Sequence, residues 1–422
     1  MSEKIPKGWK WLKVEDFAEV VSGGTPSTDK PEFWNGDIAW ITPKDLSDFK
    51  FRYIRRGERN ISRKGLESSN AKLLPKGTVL LSSRAPVGYL AIAKNELSTN
   101  QGFQSLVPKE NVITEYLYYL LKDNIEYLKS QASGTTFGEL SKSTLKKLLF
   151  PLPPLPEQKA IAEVLSSLDD KIELLHRQNK TLEEMAMTLF RQWFIEPTRD
   201  GLPEGWEEVE IGDILKETIG GDWGENEKFE GSISVFCLRG IDLDNIKIYG
   251  HSNFVPIRYV SKDSLEKRTL TENQILLAGS GIGPIGKTLP IHRKMINSFN
   301  LPVIYSNFCK RLEAKNKEIA YYMEFFIFYM YRNGELDQFH SGTSIPNFNM
   351  KNFLKLKIYF PPIIDIIKFS NFLDMFYSKK FSPQIQTLEK LRDTLLPKLM
   401  SGEVRVKYDF KFIKKEKNYG KN

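Results

Sequence analysis

Cysteine is nearly absent from this chain. Of 422 residues only Cys237 and Cys309 are cysteines, with no CxxC spacing. That excludes a disulfide framework and a thiolate zinc site. Histidine is scarce as well: His176, His251, His292 and His340 stand far apart, none at metal-ligand spacing. No run approaches the ~20 apolar residues that span a bilayer. The N-terminal MSEKIPKGWKWLKVEDF has no apolar signal core. The chain therefore reads as cytoplasmic, without metal and without membrane. Catalytic constellations are missing too. No Ser–His, Cys–His or spaced carboxylate set stands out, and Asp169 and Asp170 beside Lys171 read as a helix surface. Amino-methyltransferases hold a flipped base with an [N/D]-P-P-[Y/F] loop. Both Pro-Pro pairs here follow apolar residues, Leu152 and Phe360, so the chain alone reads as a non-enzyme.

What is present is length, apolar mass and positive charge. At ~150 residues per domain the chain holds two or three domains. Hydrophobic residues make up 41% and aromatics 12%, enough for real cores, and the net charge is +8. A basic, aromatic-rich protein suits a polyanion, nucleic acid first. From Val404 to Asn422 there are seven Lys/Arg and two acids, a basic tail of the kind usually solvated.

The chain is written twice. IPKGWKWLKV (5–14) returns as LPEGWEEVEI (202–211), and Trp9 and Trp206 lie 197 positions apart. SGTTF (133–137) returns as SGTSI (341–345), LLFPLPP (148–154) as KIYFPP (357–362), and TLE (181–183) as TLE (387–389). The echoes keep their order, so a tandem duplication follows. Each copy opens with about 150 residues of mixed character. Short strands such as GTVLLSS (77–83) and YLAIA (89–93) alternate with Gly/Pro/Ser/Asn loops, and helical stretches occur at 115–131 and 318–332. SKSTLKKLLF (141–150) reads as a strand after a turn.

Each copy then ends in a long helix. Pro154 and Pro156 punctuate the first helix and Glu157 suits its first turn. Ile161, Leu165, Leu168, Ile172, Leu175, Asn179, Leu182, Ala186, Leu189 and Trp193 alternate steps of four and three, a coiled-coil seam. Asn179 either fixes register or sits at a loose contact. The helix runs over ~156 to ~194, roughly 58 Å at 1.5 Å per residue. In the second copy Ile366, Phe369, Leu373 and Phe376 form one stripe, and Pro383 interrupts it. Ile385, Leu388, Leu391, Leu395 and Leu399 resume it until Gly402. The expected architecture is α+β. Two tandem mixed α/β heads are separated by two long antiparallel coiled-coil helices, with a pseudo-twofold internal repeat. The segments are 1–152, 153–197 (central helix), 198–358, 359–405 (distal helix) and 406–422 (tail). Heads held apart at such a spacing suggest a ruler on DNA, whose duplex advances ~34–36 Å per turn.

GSGIGPIGKT (279–288) matches the phosphate-loop pattern Gly281-x-x-x-x-Gly286-Lys287-Thr288. Its own second copy argues otherwise. VLLSSRAPVGYLAI (79–92) corresponds to ILLAGSGIGPIGKTLPI (275–291), with Pro86-Val87-Gly88 matching Pro284-Ile285-Gly286. Tyr89 stands where Lys287 does, and a strand follows instead of a helix. A phosphate cradle needs a helix N-terminus there. The shared element is strand–turn–strand. Arg84 and Lys287 in that turn could meet a guanine or a phosphate, or be simply solvated. Trp34, Trp40, Trp223 and Tyr89 read as core ahead of base-stacking.

These motifs resemble the specificity subunit of a type I restriction–modification system, over nearly the whole chain to about residue 406. The resemblance rests on the PxGW openings (6–9, 203–206), the SGT loops (133–135, 341–343), FPLPPLPEQKAIAEVLSSLDDKI (150–172) and LLPKLMSGEVRV (395–406). Pro383 and IIDIIKFS (363–370) depart from it. It implies that each head is a target recognition domain reading one part of an asymmetric split target in double-stranded DNA. It implies that the helices set the spacer and dock two modification (methyltransferase) subunits, and that restriction (translocase/nuclease) subunits join. S-adenosylmethionine, ATP and Mg would belong to those partners, with no cofactor on this chain. The candidate DNA contacts are Lys44, Arg84, Gln101, Thr135, Thr136, Arg239, Ser280, Lys287, Thr343, Ser344 and Asn347. The candidate helix-pairing residues are Leu165, Leu168, Ile172, Leu175, Asn179, Leu182, Leu189, Leu388 and Leu395. Two other readings remain open: a coiled-coil assembly scaffold with inert heads, and a nucleotide-binding protein using the 281–288 loop.

Overall fold

The computed structural model describes residues 5–47, 49–132, 138–252, 255–281, 283–342 and 346–406. Two compact units are present, one of residues 1–173 with 388–422 and one of residues 174–387. The division by packing falls inside the helices. The first unit holds the start of the long helix Leu155–Phe190 and the second holds its end.

In the first unit the strand Lys10–Lys13 pairs antiparallel with Leu149–Leu152, so the head's start and end lie side by side. Between them a five-stranded sheet runs in the order Ala18–Ser22, Gln104–Pro108, Val79–Ser83, Val87–Ala93, Tyr53–Ile54. A second sheet has Trp34–Ile41 at its centre, antiparallel to Arg59–Ile61 and parallel to Ser98–Thr99. Val79–Ser83 is buried throughout, as a continuous apolar run requires. Side chains alternate along it. Val79 and Leu81 face the cluster of Tyr116, Leu117 and Leu120 from the helix Thr114–Asp123, while Leu80 joins Ala39, Ile41 and Phe103.

The second unit repeats this plan. Glu207–Glu210 pairs with Lys357–Phe360. A four-stranded sheet runs Leu215–Glu217, Cys309–Ala314, Gln274–Ala278, Thr288–Pro290. In the small sheet Ile233–Leu238 is antiparallel to Ile257–Val260 and parallel to Val303–Tyr305. In each small sheet the central strand has one antiparallel and one parallel neighbour, and this arrangement, recurring at the same place, establishes the duplication in three dimensions. The glycine-rich stretch is strand–turn–strand, with Ile275↔Pro290 and Leu277↔Thr288 in antiparallel register and no helix opening from it.

The helices follow the seam with local departures. In the first unit Ile161, Leu165 and Ile172 are buried and Leu168 is half-buried. Leu396, Leu399 and Met400 share a core with Ile161 and Leu165. Asp169 accepts from Arg392 Nη1 at 2.8 Å and Glu157 from Arg405 Nε at 2.6 Å, which makes the pairing antiparallel. Burial pushes the Asp169 carboxyl up, but the charges of Lys122 and Arg392 win and hold it low. In the second unit Leu182 and Leu189 pack on the core, and Leu175 is half-buried. Lys380 Nζ donates to Glu183 at 2.6 Å, and Phe190 lies 5.6 Å from Phe369, again antiparallel.

Several expectations are corrected. SKSTLKKLLF is not one strand: Ser141 Oγ accepts from Thr144 N at 3.0 Å and caps the helix Lys142–Lys147, and the strand begins at Leu149. The seam does not end on Trp193, which is 40% exposed; Phe190 and Phe194 are the buried anchors. A π turn at Arg191–Ile195 rotates the last residues out of register. In the distal part Leu391 is exposed, and neighbouring Arg392 takes the inward place to meet Asp169. Leu388 and Leu395 are half-buried, Leu395 against the first unit's core. The expected break is present: Ile363–Lys380 stops before Pro383 and Gln384–Met400 follows. That break leaves a cavity of about 370 Å³ lined by Leu175, Asn179, Lys379, Ser382, Gln384 and Ile385. Asn179 is a buried polar residue on the wall of that cavity.

The second unit buries an ion pair. Glu324 is fully buried and accepts from Lys247 Nζ at 2.5 Å, Thr288 Oγ1 at 2.6 Å and Tyr377 OH at 2.8 Å. It joins the helices Gly240–Tyr249, Lys317–Arg332 and Ile363–Lys380 to the main sheet. Lys247→Met leaves the carboxylate buried without its cation. We expect the second unit to lose about 3–5 kcal/mol of stability, read from its denaturant midpoint. The double variant Lys247→Met with Glu324→Gln should recover a large part of the loss.

Candidate nucleic-acid interface

Along one edge of each head, four chain segments meet through backbone hydrogen bonds. In the first unit a Gly-Gly segment reaches the turn before Phe103: Gly24 N donates to Thr99 O at 2.9 Å. A Cβ on Gly23 would lie 2.0 Å from Asn100 O, so only glycine fits. The same turn accepts from the next segment, Ser83 N to Gly102 O at 2.7 Å. Ser83 O in turn accepts from Leu140 N at 2.9 Å, just beyond the first SGT loop.

The second unit repeats every link. Asp222 N donates to Tyr305 O at 2.9 Å, and a Cβ on Gly221 would lie 2.1 Å from Ser306 O. Gly279 N donates to Phe308 O at 2.8 Å, and Gly279 O accepts from Phe348 N at 2.8 Å. Leu140 and Phe348 hold the same place after their SGT sequences. The Gly-rich turn is thus paired directly with the strand Asn347–Phe348, with Ser280 bridged to Asn347.

A capped helix start completes the edge. WITPKDL (40–46) and CLRGIDL (237–243) are a further echo. Asp45 accepts from Thr42 N at 2.7 Å and Asp242 from Arg239 N at 2.9 Å. Side chain to backbone capping of this kind fixes the entry of the helix. Pro43 packs close beside Gly102, and Pro284 beside Gly240.

Each candidate contact can now be placed. Lys44 lies on Pro43–Ser47, highly exposed, with Glu58 at 3.1 Å. Arg84 is in the first turn, 3.9 Å from Glu139. Gln101 lies beside it and accepts from Thr25 Oγ1. Arg239 grips Asp242 through Nε at 2.8 Å and Nη2 at 3.1 Å, which raises the guanidinium's pKa. Lys287 Nζ donates to Asp244 at 2.5 Å and ties the Gly-rich turn to the helix Gly240–Tyr249. Ser280 and Asn347 are the bridged pair. Thr135, Thr136, Thr343 and Ser344 lie outside the described residues. The structure therefore gathers Lys44, Arg84 and Gln101 in one head, and Arg239, Ser280, Lys287 and Asn347 in the other. Every cation among them already has an acidic neighbour. An exposed pair such as Lys44–Glu58 is worth about 0–1 kcal/mol and is readily exchanged for another anion.

Trp34 and Trp40 are buried, as the composition suggests; Trp223 and Tyr89 are half-buried. Sequence reading missed the Gly-Gly segments and Phe308, which is 59% exposed beside the Gly-rich turn. Order in the repeat was the available signal for the glycines; nothing in the sequence marks Phe308. Among the described residues no group of three metal-ligating side chains is present, and no helix is long and apolar enough to cross a membrane.

Comparison with known proteins places this chain in a family. The model of the type I restriction modification DNA specificity domain matches twice, at residues 6–184 and 203–387. The MjaIX specificity subunit of a type I restriction enzyme from Methanocaldococcus jannaschii is 38% identical, over 96% of this chain and 95% of that one. The MjaVIII specificity subunit of the same organism is 25% identical, over 96% and 95%. The crystal structure of the type-I restriction-modification system S subunit from M. genitalium shares the fold, with TM-score 0.53, 18% identity and coverage of 94% and 97%. This chain belongs to the type I restriction–modification DNA specificity family, the target-recognition subunits that carry no catalytic activity of their own.

Proposed function

We propose that each head reads one half of an asymmetric, split target in double-stranded DNA through the edge described above. The helices would set the spacing between the halves and dock two modification subunits, with restriction subunits joining in the cytoplasm. S-adenosylmethionine, ATP and Mg would enter with those partners. One observation carries the reading: the same backbone edge is built twice, but different side chains decorate it. Arg84 faces Glu139 in one head, where Ser280 and Asn347 occupy the matching places in the other. Gly102 in one head is matched by exposed Phe308 in the other. A common frame with unlike readers suits two unlike half-sites, because base edges specify while shared contacts position. Inert heads would have no use for such a pattern. The nucleotide-binding alternative loses its support, since the loop opens no helix and its lysine is paired with Asp244.

Sequencing methylated adenines in a host that carries this subunit and its modification partner should reveal two different half-sites separated by unspecified bases. A symmetric or uninterrupted motif would defeat the proposal. The same assay tests the spacer. One heptad inserted in the long helix near Asn179, matched by one in the last helix, adds about 10 Å. At ~3.4 Å per base pair the gap should grow by roughly three base pairs with both half-sites retained. An unchanged gap would remove the ruler.

A further inference from the structure

One arginine recurs at the same repeat position in both heads. RNISRKGLE (59–67) and RYVSKDSLE (258–266) correspond. In each, the arginine lies on an outer strand of the small sheet, Arg59–Ile61 or Ile257–Val260. Each strand then runs into a serine-capped helix, with Ser62 Oγ accepting from Gly65 N and Ser261 Oγ from Ser264 N, both at 3.1 Å.

Both guanidinium groups lie over an indole. Arg59 is 3.6 Å from the centroid of Trp34, and Arg258 is 3.9 Å from that of Trp223. The tryptophans come from different places in the repeat. Trp34 opens the central strand Trp34–Ile41, whereas Trp223 follows the Gly-Gly segment, well ahead of the central strand Ile233–Leu238. The arginine has kept its position while its platform has been rebuilt. The first platform is held firmly: Trp34 Nε1 donates to Ser27 O at 3.1 Å, and Trp40, edge-on to Trp34, donates to Gly24 O at 3.0 Å. The second arginine's Nε is buried with no hydrogen-bond partner among the described residues. Neither arginine pairs with a carboxylate among the described residues, unlike the sequence candidates Lys44, Arg84, Arg239 and Lys287.

A planar guanidinium laid on an indole keeps a pre-oriented fork of donors that matches a phosphate, and it is weakly hydrated. Such a cation without a carboxylate is still short of an anion. Its recurrence in both heads identifies the anion. The heads differ in the residues placed to read bases, so a group they share suits what both half-sites share, the sugar–phosphate backbone. We propose that Arg59 and Arg258 are equivalent phosphate anchors, each gripping one backbone phosphate of the duplex under its own head. The inference rests on the reading of both heads as DNA-binding.

Salt titration of DNA binding by the subunit assembled with its modification partner tests it. Each neutralised phosphate contributes about 0.9 to the slope of log affinity against log salt. Arg59→Ala and Arg258→Ala should each reduce that slope by about 0.9, and the double variant by about twice that. Between about 50 and 200 mM salt each single variant should lose roughly 3.5-fold less affinity than the wild type. Cognate and unrelated duplexes should weaken by the same factor, and the methylated motif should stay unchanged. Arg59→Lys and Arg258→Lys, which keep the charge, should keep the slope and guard against a folding defect in the alanine variants. Wild-type slope and affinity in the alanine variants would overturn the anchors while leaving the heads as readers. A motif relaxed in one half-site would overturn them in favour of a base contact. A wild-type complex that binds no DNA would sink both this inference and the reading beneath it.

Discussion

The architecture depends on closing each head where it opens. The antiparallel pairs Lys10↔Leu152 and Glu207↔Phe360 bring the first and last strands of each head together. A long excursion of chain therefore enters and leaves at one place, and the helix that follows starts from a fixed point. The PxGW motif is the hardware of this closure. Trp9 N donates to Pro6 O and Trp206 N to Pro203 O, both at 3.1 Å, across turns in which Gly8 and Gly205 hold φ of +93° and +79°. A side chain is disfavoured in that region, so the glycine of PxGW is fixed by geometry. In the first unit the closure is locked further. Glu157, fully buried in the first turn of the long helix, takes Arg405 through two bonds and the Trp9 indole N–H at 3.3 Å. Three motifs that are far apart in sequence, PxGW, PEQ and SGEVRV, converge on that carboxylate. Among the described residues the second unit has no such lock: Asp365 stands at the matching place, half-buried and paired with Lys368.

Much of this was legible in the chain because repeats and periodicity are local or ordered signals. The duplication, the seam from Ile161 to Leu189, the break at Pro383 and the strand–turn–strand nature of 275–291 follow from such signals. The failures have local causes. Trp193 satisfied the period, but the π turn that follows Phe190 spends an extra residue and turns Phe194 inward instead. Leu391 satisfied it too, yet a partly buried acid at Asp169 draws Arg392 inward. The strand expected at 141–150 ignored Ser141, whose hydroxyl favours a helix start. The candidate interface was only half legible. Charged residues were identified by type, and type does not reveal a partner. Asp242 and Asp244, one turn of helix, engage both Arg239 and Lys287. The repeat marks the two arginines, but nothing in the sequence marks their stacking, because their tryptophans arrive from unrelated positions.

The glycine-rich turn shows how a motif can match for the wrong physical reason. A phosphate loop needs glycines to let its backbone approach an anion ahead of a helix. Here Gly281, Gly283 and Gly286 hold φ of +110°, +99° and +80° to turn one strand back upon the next. The other head makes the same turn with fewer glycines. Ala85, before Pro86, sits at φ +54°, where Gly283 precedes Pro284. Non-glycine residues seldom occupy that region, and those that do cluster at ligand-facing sites. Both turns are held by the same two backbone bonds, from Gly102 or Phe308 on one side and Leu140 or Phe348 on the other. Backbone bonds do not depend on side-chain identity. A head built this way can exchange Arg84 for Ser280, or Glu139 for Asn347, without disturbing the buried strands behind them. On the reading proposed above, specificity can diverge at the edge while the core, the closure and the stacked arginine stay as they are.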